Sequence, residues 1–316
     1  MADREVEVIE GVLGASVILH DVTRGDVTVP CWMAVTRGLR AVGQAEITVC
    51  LVRDRDDPMR FPARFFDFFA SVYELASDGR LVGEGDYSWL AHDDPFGVGP
   101  FPGVAYAVSP DLDLGAENLL CAVLLTEPEL EMARVSSTTR VLTRLGNTYR
   151  YFPFPYWTDP ARSTVFNDGD ADQSILRVLP KLNVAEASAT LAGSDLTVVV
   201  PAAAAGILAT ELREGRPLAL IPGRDPAALA ILTWRPGQRE ATAINADGFD
   251  GSRIAVTFVG FVPTKERGDD VRFQEDGFNV LLGESSGRRL VDALTSGRSC
   301  AVEAGGYVIE VSRPAP

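Results

Sequence analysis

Apolar residues fall in short runs over most of the chain, and only a few stretches repeat them at three- and four-residue steps. Residues 5–10 and 15–20 and the run Val27–Val35, interrupted by Pro30, have the β-rich character of strands. Glu46–Val52 is a further strand, followed by the polar loop Arg53–Arg60. Pro62 then sits where a helix starts without losing a needed donor, and Phe65, Phe66, Phe69, Val72, Tyr73 and Ala76 mark one face of an amphipathic helix ending at Asp78-Gly79. Gly83–Gly103, rich in Asp, Pro and Gly, reads as a long loop with at most short strands. Leu119–Leu125 is a continuous apolar run, suited to a strand covered on both faces. Val135–Gly146 turns helical towards its end, and aromatic residues and prolines alternate from Tyr149 to Trp157. The polar stretch Thr158–Asp172 is the best boundary. It predicts an N-terminal α/β domain over 1–157 and a C-terminal domain over 158–316, or one continuous globule, with a helix near Ser174–Leu182.

The second half repeats a pattern. Leu196–Val200, Ala202–Glu214 and Pro217–Ile221 read as strand, helix and strand, with Gly215 closing the helix. Phe278–Leu282, Ser286–Ser296 and Cys300–Glu303 read the same way, with Gly297 at the helix end. One gap-free offset places Leu196 on Phe278, Val198 on Val280, Val200 on Leu282, Leu208 on Leu290, Leu212 on Leu294 and Gly215 on Gly297. The expectation is an internal duplication over 194–221 and 276–304, with residues 46–83 as a looser third copy. The predicted fold class is α/β, with α+β as the variant: mixed sheets built from strand–helix–strand units.

Charge then narrows the partners. With 44 acidic against 29 basic residues the net charge is −15, which repels a phosphate backbone or an anionic lipid surface, so nucleic acid is not an expected partner. Only Lys181 and Lys265 among the basic residues are lysines, and alanine, glycine and valine are abundant, a bias that points to a bacterial genome of high GC content. No long apolar run predicts a membrane span, and Met1–Glu10 lacks the pattern of a secretion signal. Cys31, Cys50, Cys121 and Cys300 are scattered, without a CxxC pair, and read as buried apolar residues in a reducing cytoplasm.

Catalytic constellations are not legible. His20 and His92 are the two histidines, and neither has a second histidine or a cysteine at ligand spacing; His92-Asp93-Asp94 reads as a solvated turn. Neither a GxSxG elbow nor a phosphate-cradling glycine motif is present, and Gly97-Val98-Gly99 runs into proline instead of a helix. No catalytic residue, metal or cofactor is therefore assigned. Arg140 and Arg144 lie one helical turn apart and could grip an anion or simply be solvated. Tyr149, Tyr151, Phe152, Phe154, Tyr156 and Trp157 could form a binding surface or an extended segment packed on the core.

Three segments carry a resemblance. Trp32–Glu46 has the form W…T.GL.A.GQ.E ahead of an apolar strand, Phe65–Gly79 matches F..F.S.YE.AS.G, and Arg144-Leu145-Gly146 with Tyr149-Arg150 and Pro153-Phe154-Pro155 matches RLG..YR..P.P. Together they resemble the C-terminal region of the Smad anchor for receptor activation and endofin, over roughly residues 30–157 and more loosely to about 300. The resemblance implies a binding domain without catalysis. Those animal proteins reach endosomes through a separate zinc finger rich in CxxC pairs; no such pairs occur here, so lipid binding does not carry over. Among the matched positions, Gln44, Arg60, Arg144 and Arg150 are the polar candidates for a surface, with Tyr149, Tyr151 and Trp157 beside them; Gly43, Gly146, Trp32 and Tyr73 are equally readable as turn and core residues.

The expected function is a cytoplasmic protein–protein interaction or adaptor module, in one version neutralising a bacterial effector. The alternative is a small-molecule-binding protein or enzyme with a pocket between the two halves. The partner is another protein of unspecified identity, and the oligomeric state is left open.

Overall fold

The computed structural model describes residues 4–24, 27–53, 61–90, 94–108, 119–151, 154–192, 194–222, 230–234, 241–244, 254–265 and 268–313. The chain forms two compact units, Met1–Asp172 and Gln173–Pro316. Both are mixed α/β structures.

The first unit is built on one mixed sheet. β1 (Arg4–Ile9), β2 (Leu13–Arg24), β3 (Val27–Arg37) and β4 (Ile47–Val52) form an antiparallel meander. α1 (Arg64–Ser77) follows, then β5 (Tyr87–Trp89), β6 (Gly103–Ala107) and β7 (Leu120–Leu125). β7 returns parallel to β4, and the sheet order is β1-β2-β3-β4-β7-β6-β5, which leaves β5 on the far edge. α2 (Glu127–Val135) and α3 (Thr138–Tyr149) precede the short β8 (Trp157–Thr158), which continues alongside β4 where β7 leaves it.

Side-chain alternation explains the layers. Ile47, Val49 and Leu51 face one side of the sheet, where α1 buries Phe65, Phe68, Phe69 and Val72 with Phe96 and Phe101. Cys50 and Cys121 face the other, where Leu130, Met132, Val141, Leu142 and Leu145 of α2 and α3 cover them. The central strands are thus buried on both faces and read as unbroken apolar runs. All four cysteines are unbridged and buried, as expected, and burial holds the Cys50 and Cys121 thiols well above their usual range.

The second unit begins after α4 (Asp170–Gln173). The predicted helix at 174–182 is instead one 3-10 turn, Ile175–Arg177, followed by β9 (Lys181–Val184): Pro180 has no amide to continue a helix, and its carbonyl accepts from Ala219. The hairpin β10 (Ser188–Ala192) and β11 (Asp195–Val199) leads through α5 (Ala202–Arg213) to β12 (Leu218–Pro222). β13 (Ala230–Trp234), β14 (Ala241–Ile244) and β15 (Ile254–Ala255) make a small sheet. β16 (Phe258–Pro263) precedes a second hairpin, β17 (Asp270–Gln274) and β18 (Gly277–Leu282), and α6 (Glu284–Ser296) then leads to β19 (Cys300–Ala304) and β20 (Tyr307–Ser312).

The two helices each join different sheets. β11 lies in the order β10-β11-β20-β19 and β12 in β17-β18-β16-β12-β9, so α5 carries the chain from the first sheet to the second, and α6 carries it back. α5 and α6 pack against each other. The residue pairs aligned by one offset in the sequence are all buried in one core: Leu196, Val198, Val200, Leu208 and Leu212 with Phe278, Val280, Leu282, Leu290 and Leu294. Gly215 and Gly297 both adopt positive φ, 71° and 73°, at the helix ends. In the segment expected as a looser third copy, Leu81-Val82 forms no strand.

Gly103 fixes the outermost part of the first sheet. A Cβ there would lie 2.1 Å from the Ser88 carbonyl oxygen and 3.1 Å from Leu130 Cδ1. Gly103→Ala is expected to cost about 1–3 kcal/mol, as overpacking does, when measured by urea unfolding. A loss under about 0.5 kcal/mol would show that β5 yields freely.

Candidate protein-interaction surface

The residues singled out from the sequence are dispersed by the fold. Gln44 is buried, and its amide exchanges both hydrogen bonds with the Val82 backbone: Oε1 accepts from Val82 N at 2.8 Å and Nε2 donates to Val82 O at 2.9 Å. It anchors the segment after α1 and is not presented to solvent. Arg60 lies outside the described residues, as do His92 and Asp93. Arg144 lays its guanidinium 4.7 Å from the Phe166 ring centroid. Arg150 is the helix cap of α3 and is the one non-glycine residue with positive φ among those described, 53°.

The aromatic residues do assemble. Tyr151 and Trp157 meet edge to face at 4.4 Å between ring centroids, and Tyr156 packs against both. The Tyr156 hydroxyl is 3.0 Å from His20 Nε2. Tyr151 and Tyr156 belong to the core, Trp157 is half-buried and Tyr149 is exposed. Between Tyr149, Trp157 and Arg162 there is only about 10 Å³, room for about one water.

A larger opening, also lined by Arg162, lies across the adjacent ends of β5, β6 and β7. It is a groove of about 770 Å³. One wall is Trp89 and Leu90 at the end of β5; another is Pro100 and Pro102, ahead of β6. The third is Thr126, Glu127 and Pro128 at the start of α2, and Arg162, Ser163 and Thr164 close it. Trp89, which shares this groove with Pro100, Pro102 and Pro128, is 40% exposed.

A buried ion pair holds two of these walls, the start of α2 and the 162–164 segment, in register. Thr126-Glu127-Pro128-Glu129 opens α2 with a capping box, in which the Glu129 carboxylate accepts from Thr126 N at 2.9 Å. The same carboxylate takes two donors from the Arg162 guanidinium at 2.6 Å each and one from Val165 N at 3.0 Å. Arg162 also donates to Leu124 O at 2.8 Å and lies over Phe101 at 5.1 Å. The two side chains are 3% and 0% exposed, so the guanidinium fork and the carboxylate satisfy each other away from water. The end of β7, the cap of α2 and the 162–165 segment therefore move as one piece. The sequence reading missed this group, although the T-x-x-E spacing ahead of an apolar helix was visible; nothing local marked Arg162 as its partner.

No cluster of three or more His, Cys, Asp or Glu side chains close enough for a metal occurs among the described residues. Nor is any described helix long and apolar enough to cross a membrane.

Comparison with known proteins bears out the resemblance read from the sequence. The family model described as Smad anchor for receptor activation-like, C-terminal, matches residues 114–190. Human zinc finger FYVE domain-containing protein 9 is 29% identical over 154 residues, 47% of this chain and 10% of that protein. Mouse zinc finger FYVE domain-containing protein 16 is 28% identical over 156 residues, 48% of this chain and again 10% of the relative. The match thus spans about a tenth of these relatives' length. Similar solved structures include Drosophila Suppressor of Fused, at 13% identity and a TM-score of 0.39, covering 96% of this chain and 88% of that one. A chain of the Sufu–Fu complex is 18% identical with a TM-score of 0.39, covering 48% and 77%.

Removing one partner of the ion pair is expected to be costly. Arg162→Met leaves a buried carboxylate uncompensated and should lower stability by about 3–5 kcal/mol in urea unfolding, with Glu129→Gln/Arg162→Met recovering part of the loss. Additive losses would show that the two groups do not act together. His20 supplies a pH test. Burial pushes its imidazole below the usual 6.5, against a smaller upward pull from Asp21. The unfolded chain then takes the proton more readily, so this contribution is intact above 6.5 and declines as pH falls, levelling off below the folded value. His20→Gln should flatten that part of the stability–pH curve between about pH 7.5 and 5.5; parallel curves for the two proteins would refute it.

Proposed function

We propose that this chain is a non-catalytic protein-interaction module and that the groove beside β5 is where its partner sits. The observation that carries this reading is the exposed indole of Trp89 in a groove across the ends of β5, β6 and β7, two walls of which are fixed by a buried ion pair. Interfaces favour rigid, partly exposed aromatic anchors of this kind. Two of the walls, Thr126–Pro128 and Arg162–Thr164, fall within the segment matched by the family model, which belongs to proteins named as anchors. The acidic chain favours a basic partner and fast encounter with it, in keeping with an adaptor or an effector-neutralising role in a bacterial cytoplasm. The shared core of α5 and α6 supports a second unit that serves as duplicated scaffold.

A photo-crosslinking residue placed at position 89, and separately at 127, should trap one and the same protein in the native host. Placement at Leu81, also exposed, should not. The trapped protein should then bind the purified chain and lose that binding with Trp89→Ala. Equal labelling from all three positions would overturn the assignment of the groove.

A further inference from the structure

The polar groups that the groove leaves unused indicate the form of its occupant. Among the amides around it, Pro100, Pro102 and Pro128 have no hydrogen to give, Leu90 N donates to Pro102 O, Thr126 N to Glu129 and Arg162 N to Asp159 O. The amides that remain belong to three separate walls. They form no ladder edge, so a β-strand laid in the groove would find no backbone to pair with.

Two side chains have capacity to spare. Trp89 shares a face of β5 with Tyr87, which packs against the core beneath α2 and α3, so the indole stands beside the start of α2. Its N–H donates to no acceptor among the described residues. Exposed Glu127, at the start of α2, makes no ion pair among the described residues, whereas Arg162 is neutralised by Glu129. The uncompensated charge in the groove is therefore negative, as is the net charge of the chain.

An occupant that fits must carry its own backbone without a ladder, bring a free carbonyl to the indole and place apolar surface on it. An α-helix satisfies its carbonyls internally and offers the indole none along its length. A polyproline II segment has no internal hydrogen bonds, so its carbonyls are free to accept, and with about three residues per turn it sets every third side chain on one ridge.

We infer that the groove takes a proline-rich segment in the polyproline II conformation, with a proline packed on the Trp89 ring, a carbonyl accepting from Trp89 Nε1 and a Lys or Arg against Glu127. The inference rests on the groove being the interaction site. Aromatic-lined grooves recognise such segments, and the preformed backbone loses little entropy on docking.

A random ten-residue peptide display library, panned on the full chain, tests this. The expected peptides carry two prolines three residues apart and a Lys or Arg beside them. Trp89→Ala should weaken the selected peptide about tenfold or more. Trp89→Phe keeps an apolar ring but has no N–H, and should weaken it about threefold to tenfold. Glu127→Gln should weaken it and reduce its salt dependence. Each variant should keep the parent thermal midpoint, and N-methylation of the peptide's other amides should not weaken binding. Loss of affinity at alternate N-methylated residues, helicity gained on binding, selection of acidic peptides or of peptides without the spaced prolines, or no selection at all would each overturn the polyproline reading. A peptide of another kind that still weakens with Trp89→Ala would uphold the groove as the interaction site, whereas one indifferent to both Trp89→Ala and Glu127→Gln would remove the groove itself.

Discussion

The bidentate pair between Glu129 and Arg162 is the contact on which the packing between α2, β7 and the 162–165 segment depends. A carboxylate and a guanidinium this deeply buried are tolerated because they are heavily hydrogen-bonded: the carboxylate accepts from Arg162, Thr126 N and Val165 N, and the two terminal guanidinium nitrogens donate to Glu129, the Leu124 carbonyl and the Ser163 carbonyl. The consequence is geometric more than energetic. An apolar pair of similar volume could fill the space, but it would not fix the start of α2, the end of β7 and the 162–165 segment to a common point. Two walls of the groove are defined by that fixation.

The wall formed by the end of β5 depends on a different constraint. β5 is three residues long and sits on the edge, where a strand of that size contributes little by itself. It is held close to β6 because residue 103 has no side chain, and Ser88 adds a 2.9 Å hydrogen bond to the Tyr106 hydroxyl. A short edge strand also limits unwanted pairing between copies of the chain.

Much of this architecture was legible in the order of residues. Continuous apolar runs at 47–52 and 119–125 announced central strands, and the Phe65–Ala76 periodicity announced α1, because burial on two faces or on one stripe writes itself directly into composition. The gap-free offset in the second half predicted two matched helices. It did not predict that each helix changes sheets, since strand pairing depends on partners far away in sequence. The interaction surface was the least legible part. Gln44 looked like a polar surface residue and proved to be an internal tie, because two hydrogen bonds to one peptide unit are invisible until the chain folds. Trp89 lay in a stretch read as loop, and Arg162 carried no local signal of the carboxylate thirty-three residues earlier.

The exchange of chain between the two larger sheets of the second unit has a consequence for how it is made. β11 pairs in parallel with β20, which emerges from the ribosome about a hundred residues later. At about 5–20 residues per second that is a delay of about 5–20 seconds, during which Leu196 and Val198 have no sheet partner on that side and no finished core beneath them. The second unit is therefore completed only once nearly all of its chain has been synthesised, and its apolar nascent strands are a natural client for chaperones while they wait.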